Sequence, residues 1–366
     1  MPRHARHLYR DGPNNPFPGL KALERRLGRE IPYNMGSNEG LDMPHKALAA
    51  RFGDNLATQA RRYGDAEAMG VRQRLSRSLG TPLEALLVDA GADSLIALTL
   101  RASCDTDSTV IASAGTYPTF AYFAAGQGCT LHEVAYRDRP GCLAPDLAAL
   151  ARAAHEHQAR LVYLANPDNP GGHLHDDAAV LALRRDLPDD CTLLLDEAYH
   201  DFRADAEAPG AGDVWPGVIR LRTFSKAHGL AGLRIGYAIA EPEVLAVMHK
   251  VRIHYAVSSL SLAAAETLLD HPDETHAHVR DVIRRRGRLT AWLRELGADV
   301  PDSATNFIGV RLPNAELAAR VHRELLDAGS LIHRPSHPAL GHVLRISTVA
   351  EALVPGRLAA LERALG

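Results

Sequence analysis

The part of this sequence that most constrains its structure reads Thr223-Phe224-Ser225-Lys226-Ala227-His228-Gly229-Leu230-Ala231-Gly232-Leu233-Arg234-Ile235-Gly236-Tyr237. One lysine lies between two hydroxyl residues and an arginine, among glycines and few other charges. A buried lysine must be paired or chemically used, because an apolar pocket lowers the pKa of an amine and lets it attack a carbonyl group. Thr223, Ser225 and Arg234 are suitable donors to a phosphate. The stretch indicates a reactive amine beside a bound anion, with an exposed loop lysine as the alternative.

Around this lysine, from about residue 85 to residue 245, short apolar runs alternate with helical patterns such as residues 94–103 and 178–186. Continuously apolar strands that alternate with helices indicate a mainly parallel sheet with helices on both faces. The predicted strands are residues 86–88, 109–111, 130–134, 161–164, 192–195, 218–221 and 235–240.

Polar residues directly follow three of these strands. Residues 166–170 (Asn-Pro-Asp-Asn-Pro) follow one strand, residues 196–199 (Asp-Glu-Ala-Tyr) the next, and residues 223–226 a third. Ligands of such sheets bind outside the carboxyl ends of the strands. The three segments therefore predict one shared pocket at that edge of the sheet.

A second domain is predicted from the change of pattern after about residue 245. We expect a large domain over residues 36–250 and a smaller α+β domain built from residues 1–35 and 251–366. The Pro- and Gly-rich segment 12–19 is interpreted as an arm or lid over the site. The later elements are predicted as helices at 258–269 and 276–296 and strands near 307–310 and 343–346.

Composition excludes several classes of protein. With 366 residues, 46% hydrophobic and 23% charged, the chain fits a globular protein of about two domains. A net charge of −3 offers no basic field for nucleic acid, so the run Arg284-Arg285-Arg286 is interpreted as a solvated helix face. The apolar runs are broken before they reach the length of a bilayer span, and the arginine-containing N-terminus does not resemble a secretory signal.

Cysteine and histidine spacing predicts neither a disulfide framework nor a metal site. The four cysteines are scattered without a C-x-x-C pair, which favours a reduced, cytoplasmic protein. The nineteen histidines include the pairs His155/His157 and His173/His175. Residues at i and i+2 share a face only on a strand, and no acidic or sulfur ligands accompany these pairs. We interpret them as surface histidines.

One cofactor satisfies both a reactive amine and a phosphate grip, namely pyridoxal 5'-phosphate (PLP), an aldehyde that carries a phosphate. Asp196, at a strand end, can keep the pyridine nitrogen protonated, with a helix N-cap as its alternative role. Asn169 and Tyr199 can hydrogen-bond the phenolate oxygen, although Asn169 also suits a turn. Tyr117 can stack on the ring, and its alternative is a core aromatic.

A phosphate cup is predicted at Ala90-Gly91-Ala92-Asp93, a turn from a strand into a helix. Backbone N–H groups at the start of a helix, together with its dipole, favour a phosphate. Asp93 can alternatively serve only as the N-cap, so the backbone is the main attraction of this turn.

This ordered set resembles the aminotransferases of PLP fold type I, and within them the histidinol-phosphate aminotransferase branch, from about Asn15 to Thr348. Many landmarks in one order make the resemblance specific. They are Ser37-Asn38-Glu39, Tyr63-Gly64-Asp65, Gly91-Ala92-Asp93-Ser94-Leu95-Ile96, Tyr117, Asn166-Pro167-Asp168-Asn169-Pro170-Gly171, Asp196-Glu197-Ala198-Tyr199, the lysine stretch, Tyr255-Ala256-Val257-Ser258-Ser259-Leu260, Ala304-Thr305-Asn306-Phe307 and Leu344-Arg345-Ile346-Ser347.

The resemblance implies an α/β, fold-type I PLP-dependent transferase: a large domain with a mainly parallel seven-stranded sheet, plus a smaller α+β domain. It also implies roles for the cofactor-facing residues. They are Lys226 as the Schiff-base lysine, Asp196 as the pyridinium partner, Asn169 and Tyr199 at the phenolate oxygen, Tyr117 against the ring, and Ala92, Asp93, Thr223, Ser225 and Arg234 around the phosphate.

The resemblance further implies a homodimer with shared active sites, in which Tyr63 reaches the phosphate of the other subunit's cofactor. Arg345 is implied as the clamp on the substrate α-carboxylate, because its planar fork offers two donors. Arg334 occupies the region of a second arginine that helps there, and Asn38 lies in a segment that lines the pocket.

Several substrate-facing segments depart from the family pattern. The family's Asn-Glu-Asn-Pro becomes Asn38-Glu39-Gly40-Leu41, and its Pro-Thr-Gly becomes Pro170-Gly171-Gly172. Pro16-Phe17 replaces an N-terminal tyrosine that helps bind substrate phosphate. Because the cofactor-facing residues match while the substrate-facing ones drift, we predict a related enzyme that acts on another amino compound.

The sequence thus predicts a PLP-dependent aminotransferase. It would move an amino group between an amino acid or amino-alcohol phosphate and a 2-oxo acid, with Lys226 as the proton carrier. The alternative keeps the fold and cofactor but breaks another bond, as in a decarboxylase, lyase, cyclase or oxidase, because the pocket selects the bond. The expected partners are the amino donor and the 2-oxo acid acceptor, with no nucleic acid and no membrane.

Overall fold

The computed structural model describes residues 20–36, 38–39, 42–53, 60–61, 63–206, 208 and 210–365, with the backbone alone at residues 21 and 22. The predicted arm at 12–19, the Pro16-Phe17 replacement, Ser37 and the Gly40-Leu41 departure lie outside the described residues.

The helices fall close to the predicted positions. The predicted helices at 94–103, 178–186, 258–269 and 276–296 are confirmed, with ends that shift by a few residues. The helices are α1 (Leu20–Leu27), α2 (Lys46–Phe52), α3 (Met69–Leu79), α4 (Gly91–Ser103), α5 (Pro118–Gln127), α6 (Leu147–Glu156), α7 (Asp177–Arg185), α8 (Pro242–Val251), α9 (Ser259–Asp270), α10 (Pro272–Glu295), α11 (Ala315–Asp327) and α12 (Pro355–Leu365).

The strands include all of those predicted. The strands are β1 (Tyr33–Asn34), β2 (Leu86–Asp89), β3 (Thr109–Ser113), β4 (Thr130–Val134), β5 (Arg137–Arg139), β6 (Cys142–Ala144), β7 (Leu161–Ala165), β8 (Thr192–Asp196), β9 (Val218–Thr223), β10 (Gly236–Ile239), β11 (Phe307–Arg311), β12 (Ser330–Leu331) and β13 (Val343–Ser347).

The central sheet has seven strands in the order β2-β10-β9-β8-β7-β3-β4. Strand β10 runs antiparallel to both of its neighbours, and the pairs from β9 to β4 are parallel. The predicted mainly parallel, seven-stranded sheet is therefore confirmed. Its parallel strands end at the same edge, which places residues 166–170, 196–199 and 223–226 together.

Apolar side chains cover both faces of this sheet. Along β7, Leu161, Tyr163 and Ala165 belong to one core with α4, α5 and α8, whereas Val162 and Leu164 belong to another with α6 and α7. Successive residues of a strand point to opposite faces, so a strand buried on both faces must be apolar throughout. This is why an unbroken apolar run predicts the strand.

A separate core holds together the C-terminal part. Strands β11 and β13 pair antiparallel, and they pack with α10, α11 and α12. Helix α9 instead packs against the central sheet, where its residue Leu262 shares a core with Leu86 and Val88. Helix α9 therefore packs with the large sheet, although the predicted domain limits assign residues after 250 to the smaller domain. The domain limits stay a prediction.

The arginine run at the middle of α10 is not a solvated face. Arg284 is exposed, as predicted, but Arg285 pairs with Asp42 at 3.1 Å and is largely buried. Arg286 donates to the carbonyl oxygen of Thr305 at 2.6 Å. The interpretation is wrong for these two residues, since their partners lie far away in the sequence and only folding brings them near.

The histidine pairs also differ from expectation in one member. His155 and His157 are exposed, but His175 is buried, with its ring 3.1 Å from the carbonyl oxygen of Pro145. Burial lowers the pKa of His175 to about 4, so this ring is neutral. Among the described residues, no group of three or more His, Cys, Asp and Glu is placed to hold a metal ion. No helix in the same part of the chain is long and apolar enough to cross a membrane.

Candidate active site

Two cavities adjoin at the carboxyl edge of the sheet. The smaller, about 230 Å³, is called the inner cavity, and the larger, about 700 Å³, the outer cavity. Tyr117, Asn169, Tyr199 and Lys226 line both, so the two are continuous. The inner cavity is lined by Glu39, Ala92, Asp93, Tyr117, Ala165, Pro167, Asn169, Asp196, Ala198, Tyr199, Thr223, Ser225, Lys226, Ala231 and Arg234.

Lys226 lies in a tight turn directly after β9. Phe224 and Ala227, on either side of it, are fully buried, and the Gly229 N–H donates to the Lys226 carbonyl at 3.1 Å. The Lys226 amine is 5.8 Å from the ring centre of Tyr199. The buried neighbours fix the backbone, so this lysine projects into the cavities and is not an exposed loop residue.

Asp196 ends β8 and is 4% exposed. Its carboxylate accepts from the Tyr163 hydroxyl at 2.7 Å and from the Ala198 N–H at 3.0 Å. Burial raises the pKa of Asp196 to about 6, and these two bonds limit the rise. The next helical turn begins after Tyr199, so Asp196 is not its N-cap. A buried carboxylate without an ion-pair partner among the described side chains fits the protonated ring nitrogen of PLP.

The residues of the predicted phosphate cup come together at the start of α4 and in the lysine stretch. The N-cap of α4 is Ala90, whose side chain makes no cap, so the first-turn N–H groups are available to an anion. Gly91 has φ +85°, and a Cβ there would lie 2.7 Å from Nη2 of Arg234. Asp93 is the third residue of α4, so it is not the N-cap.

Hydroxyl and guanidinium groups complete this cup. The Thr223 hydroxyl donates to the Ser225 hydroxyl at 2.9 Å, and Nη1 of Arg234 lies 3.4 Å from the same Ser225 oxygen. Nη2 of Arg234 pairs with Asp93 at 3.5 Å. Donors from three segments thus surround one position, which fits a phosphate group.

Tyr117 directly precedes α5 as its N-cap residue, and both of its predicted roles are open to it. It packs against the core beneath the sheet edge and also lines both cavities. Its hydroxyl donates to Asp93 at 2.9 Å. Burial, with the nearby Asp93 charge, raises the pKa of Tyr117 above its ordinary value, so its hydroxyl stays protonated.

A network from the C-terminal part reaches the cofactor side of the site. Arg345, on β13, is 4% exposed and donates to Oδ1 of Asn169 at 2.6 Å and to the Gly36 carbonyl at 2.7 Å. Asn38 donates to the Tyr199 hydroxyl at 3.1 Å and accepts from Ser347 at 2.6 Å. The Asn169 side chain is therefore engaged with Arg345, which goes beyond a turn role.

Arg345 retains capacity for a further acceptor. Its Nε is buried and has no hydrogen-bond partner among the described residues, and burial lowers the pKa of the guanidinium. Arg334 lines the outer cavity beside it and donates from Nε to the Gly341 carbonyl at 3.0 Å. The predicted substrate residues Asn38, Arg334 and Arg345 are thus brought together around the outer cavity, which fits an anionic group on the substrate.

Tyr63 is the one predicted site residue that the fold leaves away from both cavities. Its side chain is 85% exposed and stacks on Tyr255, with ring centres 4.9 Å apart. Tyr255 and, two residues before it in the sequence, Ile253 are exposed as well. Within a single chain, Tyr63 therefore contributes nothing to the pocket.

Two tyrosine–aspartate pairs lie beneath the site and were not predicted from the sequence. Tyr163 supports Asp196, and Tyr136 donates to Asp168 at 2.9 Å. Asp168 is fully buried, accepts from the Gly171 N–H at 2.7 Å, and has its pKa raised by burial to about 7. The alternation of β7 was an available signal, since Tyr163 is a polar-tipped residue two positions before the strand end. Tyr136 gave no comparable signal.

This α/β sheet, with a lysine, a buried aspartate and a phosphate cup at its carboxyl edge, defines a pyridoxal-phosphate-dependent enzyme. Comparison with known proteins narrows the class. Residues 30–355 match the family described as aminotransferase class I and II. The chain belongs to that family, and PLP is its cofactor.

Individual relatives agree with this assignment. A histidinol-phosphate aminotransferase 2 of Ralstonia nicotianae is 33% identical over 94% of this chain and 92% of its own length. An aromatic amino acid aminotransferase of Mycobacteroides abscessus is 32% identical over 78% of this chain and 82% of its own. The crystal structure of the Sinorhizobium meliloti histidinol-phosphate aminotransferase, in complex with PLP, has a TM-score of 0.90 and 34% identity, covering 100% of this chain and 98% of that one. The predicted aminotransferase activity is supported over the other PLP reaction types.

Proposed function

We propose that this aminotransferase takes its amino group from an amino acid or amino-alcohol phosphate, as its histidinol-phosphate and aromatic relatives suggest, and passes it to a 2-oxo acid. The observation that carries the proposal is the convergence of Lys226, Asp196 and Arg345 on two continuous cavities. One end of the site suits the cofactor and the other suits an anionic amino compound.

The proposed cofactor residues are those of the inner cavity. Lys226 would bear PLP on its amine, Asp196 would face the ring nitrogen, and Tyr117 would stack on the ring. Asn169 and Tyr199 would donate to the ring oxygen, and the phosphate would lie among Ala92, Asp93, Thr223, Ser225 and Arg234. Bound in this way, PLP withdraws electrons from the substrate Cα when a bond to that carbon breaks.

The chain's own groups then handle substrate and proton. Arg345, whose buried Nε has no partner in the described part of the chain, would bind the anionic group next to the substrate amine. The Lys226 amine, once free, would take the proton from the substrate Cα as general base and return it as general acid. Because Asn169 accepts from Arg345 at 2.6 Å, substrate binding and cofactor orientation are linked through one bond.

The donor class is tested by a single-turnover titration of the PLP-loaded protein. We expect histidine, aromatic amino acids or histidinol phosphate to convert the visible cofactor band to that of its amine form, and a 2-oxo acid to restore it. The measurement is stopped-flow absorbance for each amine. Carbon dioxide release or oxygen uptake without formation of the amine form would contradict transamination.

We further propose a cytoplasmic homodimer whose sites are shared. The exposed pair of Tyr63 and Tyr255, with Ile253 also exposed nearby in the sequence, supports this, because large apolar or aromatic side chains at the surface favour an interface. Tyr63 would then reach the cofactor phosphate of the partner subunit.

The shared site is tested with two variants that fail for different reasons. Tyr63→Ala is expected to weaken PLP binding by about tenfold, the loss of one charge-assisted hydrogen bond. In a mixture with Lys226→Ala subunits at limiting PLP, each mixed dimer has one intact site. Activity should therefore appear that neither variant has alone, whereas sites confined to single chains would give none.

A further inference from the structure

The wall of the outer cavity carries one carboxylate among its described residues. Among the described residues that line it, Glu133 is the one carboxylate, in company with the cations Lys226, Arg334 and Arg345. Glu133 lies one residue before the end of β4, the edge strand of the sheet. Strand β4 is parallel to β3, and Glu133 is in register with Ala112. The carboxylate therefore lies at the same edge of the sheet as the cofactor residues.

His337 holds this carboxylate through a hydrogen bond. Its Nε2 lies 3.1 Å from Oε2 of Glu133, and its Nδ1 accepts from the Ala339 N–H at 3.2 Å. A ring nitrogen that accepts a hydrogen bond carries no proton, so the single ring proton is on Nε2 and points to Glu133. The ring thus donates to the carboxylate and orients it.

The wall of the outer cavity is mostly apolar. Its walls include Leu20 and Leu23 of α1, Leu131 of β4, and Leu326 of α11. A volume of about 700 Å³ lies within the range of cavities that bury a ring-sized ligand. Arg345, these leucines and Glu133 therefore share one cavity, which offers an anion site, an apolar wall and a carboxylate to a single ligand.

We propose that Glu133, held by His337, is a distal specificity determinant of this enzyme. It would favour amino compounds whose ring-sized side chain ends in a cation or a hydrogen-bond donor and disfavour those that end in an anion. A carboxylate binds hydrogen-bond donors strongly and repels anions. If Arg334 alone selected the side chain, substrates ending in an anion would be preferred instead. The inference rests on the proposed function, because it takes the Arg345 end as the site of the α-anion.

The test uses phenylalanines that differ only in the para substituent: hydrogen, hydroxyl, aminomethyl and carboxylate. With the PLP-loaded protein, kcat/KM of the amine half-reaction should be highest for aminomethyl and hydroxyl and lowest for carboxylate. Glu133→Gln keeps the shape and removes the charge. It should reduce the preference for aminomethyl over carboxylate by about tenfold, the contribution of one charge-assisted hydrogen bond. The exposed Glu156→Gln on α6 is the matched control and should keep the wild-type order.

A second measurement separates this inference from the proposed function. Calorimetry gives the Kd of 3-arylpropionates with the same para substituents, which lack the amine and cannot react. If no amine converts the cofactor but the arylpropionates follow the predicted order, the proposed function fails and the distal site stands. If amines are converted but Glu133→Gln keeps the wild-type order, or if wild type prefers the carboxylate, the distal site is overturned.

Discussion

Replacing Lys226 by alanine is expected to lower turnover by about 10³-fold, the usual contribution of one positioned acid–base group, and to abolish the visible band of the PLP-loaded protein. The amine has two tasks in the proposed site: it carries the cofactor, and it moves the substrate proton. Both end with the substitution. The measurements are the absorbance spectrum after reconstitution and the single-turnover rate.

The control for this variant comes from the scarcity of lysine. The sequence contains Lys21, Lys46, Lys226 and Lys250, against a far larger number of arginines. Of these, Lys226 lines both cavities, and Lys250 is exposed at the end of α8. Lys250→Ala should keep the spectrum and the rate. Borohydride reduction followed by peptide mass mapping should label Lys226, and a label on any other lysine would refute the assignment.

The variant should also fold normally, since the turn is held by its neighbours. Phe224 and Ala227 are fully buried, and the Leu230 N–H donates to the Phe224 carbonyl at 2.9 Å. The Lys226 side chain itself fills space at the cavity. A loss of activity that came with a large fall in unfolding midpoint would therefore point to damage of the fold instead of the loss of the amine.

The central sheet could be predicted from the sequence because its information is local. Strand β7 needs apolar residues on both faces, so residues 161–165 form an unbroken apolar run that no helix of this length requires. Because parallel strands end at the same edge of a sheet, the polar residues that follow them lie together at that edge. This is why the positions of Asn169, Asp196 and Lys226 could be foreseen together.

The parts that could not be predicted depend on contacts between distant segments. Arg285 looks like a surface residue in its own helix, but the fold brings Asp42 opposite it, and the two pair at 3.1 Å. The same holds at the site, where Arg345 meets Asn169 across 176 positions of sequence. Neither partner alters the local pattern of the other. Motif spacing gives residue types at the site, but not the hydrogen bonds that orient them.

Replacing Asp196 by asparagine should lower kcat/KM by about 10²–10³-fold, the usual effect of removing one preorganised electrostatic group. Asparagine preserves the shape and can still accept from the Tyr163 hydroxyl, which donates at 2.7 Å in the wild type. What it removes is the negative charge that would stabilise a protonated ring. The visible band should remain, since Lys226 is intact, and this distinguishes the two variants.

The pH dependence of PLP binding gives a second signature of Asp196. Burial raises its pKa to about 6 in the cofactor-free protein. Above that pH the carboxylate is charged and ready to pair with a protonated ring, so affinity should be flat. Below it, the carboxyl group must first lose its proton, and the Kd for PLP should rise by about tenfold per pH unit. Asp196→Asn should lack this step, and an unchanged step in the variant would assign the titration to another group.

The stability of the cofactor-free protein should fall as the pH rises, whereas its affinity for PLP rises. The reason is that a raised pKa of the Asp196 carboxyl group means that the folded state disfavours its charged form. The folded state then holds a proton that the unfolded chain has already lost between its ordinary pKa, near 3.8, and about 6. The stability from this proton is present below that window and is lost as the pH rises through it. Without PLP, Asp196→Asn should therefore be more stable than wild type at pH 8, with an advantage that shrinks toward pH 4 in denaturant titrations. Gain of stability with loss of activity at one residue would identify a charge that is kept for the cofactor and not for the fold.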